Sequence, residues 1–290
     1  AFAELVPGVA DKLAAERGMD AFEAMHTALD AVWAECHRVL VPGGFACINI
    51  GDATRSLNGE FCLYPNHARI LMGLLRIGFT PLPDILWRKP TNAPNKFMGS
   101  GMLPAGAYVT YEHEYILICR KGGKRIFSKS ASEIRSRSAL FWEERNLWFS
   151  DVWSDLPGKD QRLGKAGMRE RSAAFPLDLP FRLVNMYSLQ GDTVLDPFVG
   201  TGTTMAASVA AGRSSIGFDC VPEVGTLVAD SLRRSMTEGR VRVGERLSAH
   251  AAFVARRQAA SKPLKYVSQH YGVPVMTRQE VRIQLAIPHR

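Results

Sequence analysis

The residues best suited to chemistry lie between Thr193 and Asp219, in TVLDPFVGTGTTMAASVAAGRSSIGFD. TVLD reads as a short strand whose carboxyl end delivers Asp196 into a turn. Gly200 and Gly202 let the backbone pass close beside a ligand, where a Cβ would collide. Thr203 and Thr204 open a helix whose small residues, Ala206 to Ala211, permit close packing, and Gly212 ends it. SSIGFD supplies the next strand with Asp219 at its tip. An acid there can accept hydrogen bonds from both ribose hydroxyls, and ligands of open α/β sheets bind at such strand ends. The chemistry is capture of a nucleoside-bearing ligand. A glycine turn has rivals, a nicotinamide site or a phosphate loop. GxGxxG is absent, because Met205 stands where its last glycine belongs, and there is no GxxxxGK[ST].

The elements that must position this loop follow from periodicity. Phe22, Met25, Leu29, Val32, Trp33, Cys36 and Leu40 recur in steps of three and four, which predicts a helix over 21–40. Pro42-Gly43-Gly44 breaks it, and Phe45–Ile50 reads as a buried strand. A second helix is expected from Pro65 to Ile77 with Gly78 as its stop, then strands at Pro83–Lys89 and Glu114–Arg120. The loop Thr91–Ala107 is long for a connector, which marks it as functional or mobile. Helices are expected at Leu177–Leu189, at Thr203–Ala211 and from Val221 to about Glu238, and the last segment, VRIQLAI, is strand-like. Strands alternating with helices indicate an α/β domain with a mainly parallel sheet.

Composition narrows the partners. The chain has 290 residues, 46% hydrophobic and 22% charged, with a formal net charge of +8. That basic surplus suits a polyanion, since neutralised phosphates release counterions. It concentrates between Arg120 and Arg171, where Phe127, Phe141, Trp142, Trp148, Phe149 and Trp153 are interleaved. The five cysteines are scattered with no CxxC pair, which argues against zinc and disulfides and for a reducing cytoplasm. No apolar run reaches the roughly 20 residues of a membrane helix, and neither a signal peptide nor a metal site is expected.

DPFVGTGTT closely resembles the adenosylmethionine loop of the N6-adenine/N4-cytosine family of amino-methylating DNA methyltransferases. SSIGFD is similar to that family's next strand with its ribose-binding acid. The segment from Ala173 to Asp192 resembles the helix that closes over the methionine end, although Arg171-Ser172 stands where the family usually has His-Pro. Upstream, ECHRVLVPGGFACINIGDATRS, ILWRKPTNAPN and EHEYILICRKG resemble the target-base half. The matches follow the permuted order of the family's β class, with the catalytic half first.

The resemblance implies a Rossmann-like S-adenosylmethionine-dependent methyltransferase sheet carrying a small basic DNA-recognition insertion. Its divisions would be a target-base half over 1–120, the insertion over 121–170, the cofactor half over 171–240 and a completing extension over 241–290. Cofactor residues would be Phe175, Pro176, Asp196, Pro197, Phe198, Gly200, Thr201, Gly202, Thr203 and Asp219. The family's Pro-Pro-aromatic tetrapeptide is absent, and the permuted order would place it before Ala1, so further N-terminal residues are expected in the native protein, with a pseudoenzyme as the rival. Asn49 and Asp52, in INIGD, are the catalytic candidates left in the chain, and turn-capping accounts for them equally well. Arg135 and Arg137 lead the DNA-contact candidates, with Arg55, Lys89 and Lys96 beside them, against a solvated basic surface as the alternative. Double-stranded DNA is the implied partner, with a cognate restriction endonuclease in the same system, and dimers are common in the family. CINIGDATR looks closer to N4-cytosine members, which favours cytosine N4 over adenine N6. A non-catalytic adenosylmethionine-binding, nucleic-acid-binding subunit is the reading from another class.

Overall fold

The computed structural model describes residues 6–57, 59–89, 98–158 and 175–287. Lys96 and the basic run 159–171 lie outside the described residues, as do 173 and 174 of the helix-closing segment. In chain order the elements are α1 (Val9–Ala14), α2 (Gly18–Val39), β1 (Phe45–Ile50), β2 (Ala53–Leu57), β3 (Glu60–Tyr64), α3 (Asn66–Ile77), β4 (Phe79–Pro81), β5 (Ile85–Arg88), β6 (Met98–Gly99), β7 (Ala107–Tyr108) and β8 (His113–Lys121). There follow α4 (Lys129–Arg137), α5 (Trp142–Trp148), β9 (Val152–Trp153), α6 (Asp178–Tyr187), β10 (Thr193–Asp196), α7 (Thr203–Ala210), β11 (Ser214–Gly217), α8 (Val224–Ala259), β12 (Tyr266–Val267), β13 (Pro274–Val275) and a 3-10 turn at Arg278–Glu280. No helix among the described residues is long and apolar enough to cross a membrane.

The chain folds as two compact units. One holds the chain to Val39, Ala46–Gly122 and the residues from Asp151. Its sheet runs β1-β8-β5-β9, with β4 also paired to β8. In β8, Ile116, Leu117 and Ile118 are all fully buried, as an unbroken apolar run demands of a strand covered on both faces. β5 alternates instead, burying Ile85 and Trp87 and exposing Leu86 and Arg88. Trp87 lies opposite Trp153 of β9 and donates its indole N–H to the Leu156 carbonyl at 2.9 Å. Helix α2 buries Ala21, Phe22, Leu29 and Trp33 and packs on α3, whose Ile70 and Leu74 are buried in turn.

The sheet is mixed, which corrects the expectation of a mainly parallel one. In it β4 and β5 run antiparallel to β8 while β5–β9 is parallel, and the separate two-stranded sheet β10–β11 is parallel. Parallel neighbours need a long crossover, usually helical. No helix among the described residues lies between β5 and β8, so the chain returns antiparallel.

The second unit holds Leu40–Phe45, Gly123–Ser150 and the rest of the chain. Helix α7 contacts α6, α8 and both strands of the β10–β11 pair. Trp148, Phe181, Val184, Ala207, Ala210 and Ala211 form one core, and Phe141, Val275, Ile283 and Leu285 another. The basic stretch 121–170 is therefore divided: Gly123–Ser150 builds this unit's core, while β9 joins the other unit's sheet.

Two element expectations fall here. α8 does not stop near Glu238 but runs to Ala259, through Gly239 and Gly244. Burial of His250, Phe253 and Val254, and ion pairs from Arg242 to Asp178 and from Arg246 to Glu144, outweigh the roughly 1 kcal/mol each interior glycine costs. VRIQLAI forms no strand. It keeps strand-like alternation, burying Ile283 and Leu285, but its backbone bonds go elsewhere: Gln284 N–H to the Arg137 carbonyl at 2.9 Å, and Leu285 N–H to the Tyr271 hydroxyl at 2.8 Å.

Candidate cofactor loop and polar strand-end cluster

In the second unit, β10 and β11 run parallel with Thr193 opposite Ser214 and Asp196 opposite Gly217, so both acids leave the same sheet end. The turn between them is tightly bonded. Phe218 N–H donates to the Asp196 carbonyl at 2.9 Å, Val199 N–H to the Phe218 carbonyl at 2.9 Å, and Gly202 N–H to the Val199 carbonyl at 2.8 Å. Gly200 (φ +48°) and Gly202 (φ +77°) are left-handed, and Gly202 caps α7. A Cβ on Gly202 would stand 3.2 Å from the Val228 Cα. The first N–H groups of α7, from Thr203 onward, have no intrahelical acceptor and face the turn as donors.

Asp219 is exposed and accepts from Gly200 N–H at 2.9 Å and from Val221 N–H at 3.0 Å, one bond per oxygen. Each carboxylate oxygen has a second lone pair, so two acceptor positions remain for a vicinal diol. Asp196 accepts from Phe198 N–H at 3.0 Å, and the Thr201 and Thr203 hydroxyls lie 3.2 Å apart. Phe198 and Phe218 present rings 44% and 61% exposed at these strand ends. Phe218 was not among the sequence candidates, although alternation in SSIGFD puts it on one face with Ile216. Phe175 and Pro176 are half-buried ahead of α6, and the Pro176 carbonyl accepts from Leu179 N–H at 3.1 Å.

Two arginines brace this frame. Arg125 grips Asp192 in a bidentate pair, at 2.6 and 2.9 Å, immediately ahead of β10. Burial raises the Asp192 pKa, but Arg125 and the Leu189 N–H outweigh it and hold the carboxyl below its usual range. Arg213 is buried and ties β11 to the end of α6, through the Asn185 carboxamide at 3.3 Å and the Ser188 hydroxyl and carbonyl at 3.1 and 2.7 Å. Burial, helped by Arg246, brings its pKa down to about 10.

The first unit gathers polar groups beyond β1. Asn49 Nδ2 donates to Glu114 Oε2 at 2.6 Å, and Lys89 is ion-paired with Glu114 Oε1. Asn49 Oδ1 is buried and has no hydrogen-bond partner among the described residues. The Asp52 side chain is 1% exposed, and both its oxygens serve His67: Oδ1 accepts the backbone N–H at 3.0 Å and Oδ2 meets Nδ1 at 2.7 Å. Asp52 thus caps the start of α3. His67 stacks on Tyr115 at 3.8 Å, and burial, then the Asp52 carboxylate, push the Tyr111 phenol upward. His26 bonds Asn66 at 3.0 Å, and Asn66 donates to the Gly51 carbonyl at 2.9 Å, which anchors the turn carrying Asp52.

The DNA-contact candidates are dispersed. Arg55 is exposed on β2, and Arg135 and Arg137 are exposed on α4, where Arg135 lies 4.7 Å over the Phe127 ring. Lys89 turns to Glu114 and sits 5.0 Å over Trp87, a placement that sequence reasoning missed along with Glu114 itself. EHEYILIC offers Glu114 only as one of two acids ahead of a strand.

A parallel strand pair, a left-handed glycine turn and a strand-end acid define a nucleoside-cofactor-binding α/β protein. A family model described as DNA methylase matches residues 12–229. Type II methyltransferase M.MthZI of Methanothermobacter thermautotrophicus is 47% identical over 289 residues, covering 99% of this chain and 80% of that protein. M.MjaI of Methanocaldococcus jannaschii, also a type II methyltransferase, is 50% identical over 214 residues, covering 74% of this chain and 69% of that one. Among solved structures, Thermus thermophilus TTHA0409 with bound S-adenosyl-L-methionine superimposes with a TM-score of 0.63 at 36% identity, over 75% of this chain and 80% of that one. The chain belongs to the N6/N4 DNA methylase family. It is an S-adenosylmethionine-dependent DNA methyltransferase that acts on an amino group of cytosine or adenine.

Proposed function

We propose that this enzyme methylates the exocyclic N4 amine of cytosine in double-stranded DNA, as the modification half of a restriction–modification pair with a cognate endonuclease. The choice of cytosine rests on CINIGDATR and its likeness to N4-cytosine members. The observation that carries the site assignment is the Asp219 carboxylate, which keeps two acceptor positions beside a left-handed glycine turn. Asp219 accepts from the ribose hydroxyls, and the exposed Phe198 and Phe218 rings offer the adenine a stacking surface. Asp196, Pro197, Gly200, Thr201, Gly202 and Thr203 line the turn, and Phe175 and Pro176 serve the methionine end. When bound, S-adenosylmethionine supplies an electrophilic methyl group on its sulfonium. The protein's share is to hold that group and an unstacked base in line, which lowers the barrier through proximity and orientation. Arg55, Arg135 and Arg137 contact DNA phosphates, and the enzyme works as a homodimer in the cytoplasm.

The test is transfer of tritiated methyl groups to unmodified DNA, followed by nucleoside analysis. Label in N4-methylcytosine is expected. Label in N6-methyladenine replaces the base assignment, and label in neither base removes the enzymatic reading in favour of a binding subunit.

A further inference from the structure

Three side chains in the first unit form a chain of dictated orientations. Lys89 can only donate, and it occupies Glu114 Oε1. Glu114, a carboxylate, can only accept, and its Oε2 meets Asn49 at 2.6 Å. The Asn49 nitrogen must therefore face Glu114, and Oδ1 must face the other way. That oxygen is buried without a partner among the described residues. A buried polar atom without a hydrogen bond is costly, and such exceptions mark functional positions. The backbone makes room for the arrangement: at Gly51, two residues beyond Asn49, a Cβ would stand 3.2 Å from the Glu114 Cγ.

We infer that Asn49 Oδ1 is an acceptor reserved for the exocyclic amine of the target base, and that Glu114 and Lys89 are positioning residues that fix which end of the carboxamide is presented. The inference rests on the methyltransferase reading above. The exocyclic amine of the target base supplies the required N–H donor. The free ring nitrogens of cytosine and adenine, and the phosphates of DNA, are acceptors and do not satisfy Oδ1.

The orientation logic predicts an isosteric exchange. In Glu114→Gln, Lys89 still requires an acceptor and takes the Gln carbonyl. The Gln amide nitrogen then faces Asn49, which must turn its oxygen inward and present its NH2 to the incoming donor. Activity should fall by about 10- to 100-fold, the factor for one misplaced hydrogen-bonding group. In Asn49→Asp/Glu114→Gln the Gln amide donates to one Asp oxygen and the other Asp oxygen stands where Oδ1 stood. Activity should return to within roughly threefold of wild type, a residue below the tenfold that 1.4 kcal/mol represents. Loss of a structural contact alone would not be reversed by a second substitution of this kind.

The experiment measures methyl transfer by wild type, Glu114→Gln, Asn49→Ala and the exchange variant. It adds titrations with S-adenosylmethionine and with duplexes carrying either the target base or its analogue lacking the exocyclic amine. Affinity for S-adenosylmethionine is expected to stay unchanged, and its loss in Glu114→Gln overturns the inference. Affinity lost only for the amine-bearing duplex identifies the base. Failure of the exchange to recover activity, or unchanged affinity for the amine-bearing duplex, overturns the inference. Should Glu114→Gln not fold, Asn49→Ala carries the same affinity tests. A wild-type enzyme that labels neither base breaks the underlying reading instead, so the two failures are distinguishable.

Discussion

Gly202→Ala places a methyl group at the tightest point of the cofactor turn. Gly202 holds φ +77° and ψ 19°, where a Cβ carries a penalty of about 1–2 kcal/mol. That Cβ would also meet the Val228 Cα and Cγ2 at 3.2 Å. The Cγ2 can rotate away, but the Cα belongs to the backbone of α8 and cannot. Overpacking of this kind adds about 1–3 kcal/mol, for a total of roughly 2–5 kcal/mol. The loss has two outlets. If the turn keeps its shape, global stability falls. If the turn rearranges, stability is partly spared and ligand binding falls, by about 30-fold in Kd for each 2 kcal/mol. Urea unfolding without ligand and calorimetric titration of S-adenosylmethionine measure the two outlets, and their sum should fall in the stated range. Gly200→Ala should cost less stability, because its Cβ would find nothing nearer than the Phe198 carbonyl at 3.9 Å. A combined loss below about 1 kcal/mol for Gly202→Ala, against the penalty above, would refute the strain argument.

Glu144 is 8% exposed, bonds Arg246 at 2.5 and 2.8 Å, and accepts the Phe141 N–H at 3.0 Å. Glu144→Ala should destabilise by about 3–5 kcal/mol in urea unfolding, because Arg246 is left buried and unpaired, whereas Glu144→Gln keeps the cap and loses less; equal losses would contradict this. Burial lowers the His250 pKa, but its bonds to Glu143 and the Pro274 carbonyl, with the fields of Glu143 and Glu280, outweigh that and raise it. Its contribution to stability is complete below the unfolded value near 6.5 and is lost as pH rises through the higher folded value. The urea midpoint should therefore fall with rising pH above about 6.5, more steeply in wild type than in His250→Gln; parallel slopes would exclude His250 as the source. Arg135→Ala should reduce the slope of log affinity against log salt by about 0.9 without altering sequence preference; an unchanged slope removes Arg135 from the phosphate contacts.

Local pattern carried much of the fold. Phe45–Ile50 was legible because a short apolar run, interrupted only by Asn49, stands between Gly44 and Gly51, and Asn66–Ile77 because Gly78 stops it. The cofactor turn was legible because its glycines, small helix residues and two acids stand in one stretch of 27 residues, Thr193–Asp219. Long-range pairing was not legible. Phe141 and Trp148 are buried while Trp142 and Phe149 are exposed, a distinction set by Val275, Ile283 and Phe181 rather than by neighbours in sequence. The partners of Asp52 and Lys89, His67 and Glu114, stand 15 and 25 residues away, and no local pattern marks either pairing. Glu114 has its meaning through Asn49, across a separation of 65 residues, and nothing in EHEYILIC announces that distance.

The Phe141 ring is fully buried against Val275, Ile283 and Leu285, and the Glu280 carboxylate accepts the Trp142 N–H across 138 residues. A ribosome adding about 5–20 residues per second leaves that ring without its cover for roughly 7–28 seconds. During that interval the nascent second unit lacks both the ring's burial, worth about 1.5–3 kcal/mol, and the cap on α5. Its assembly must await synthesis of the segment around Glu280. The cofactor turn at Thr193–Asp219 emerges earlier but belongs to the same unit. Cofactor-binding competence should therefore arise late in translation, and the interval of exposed aromatic surface is where chaperones and proteases would meet this chain.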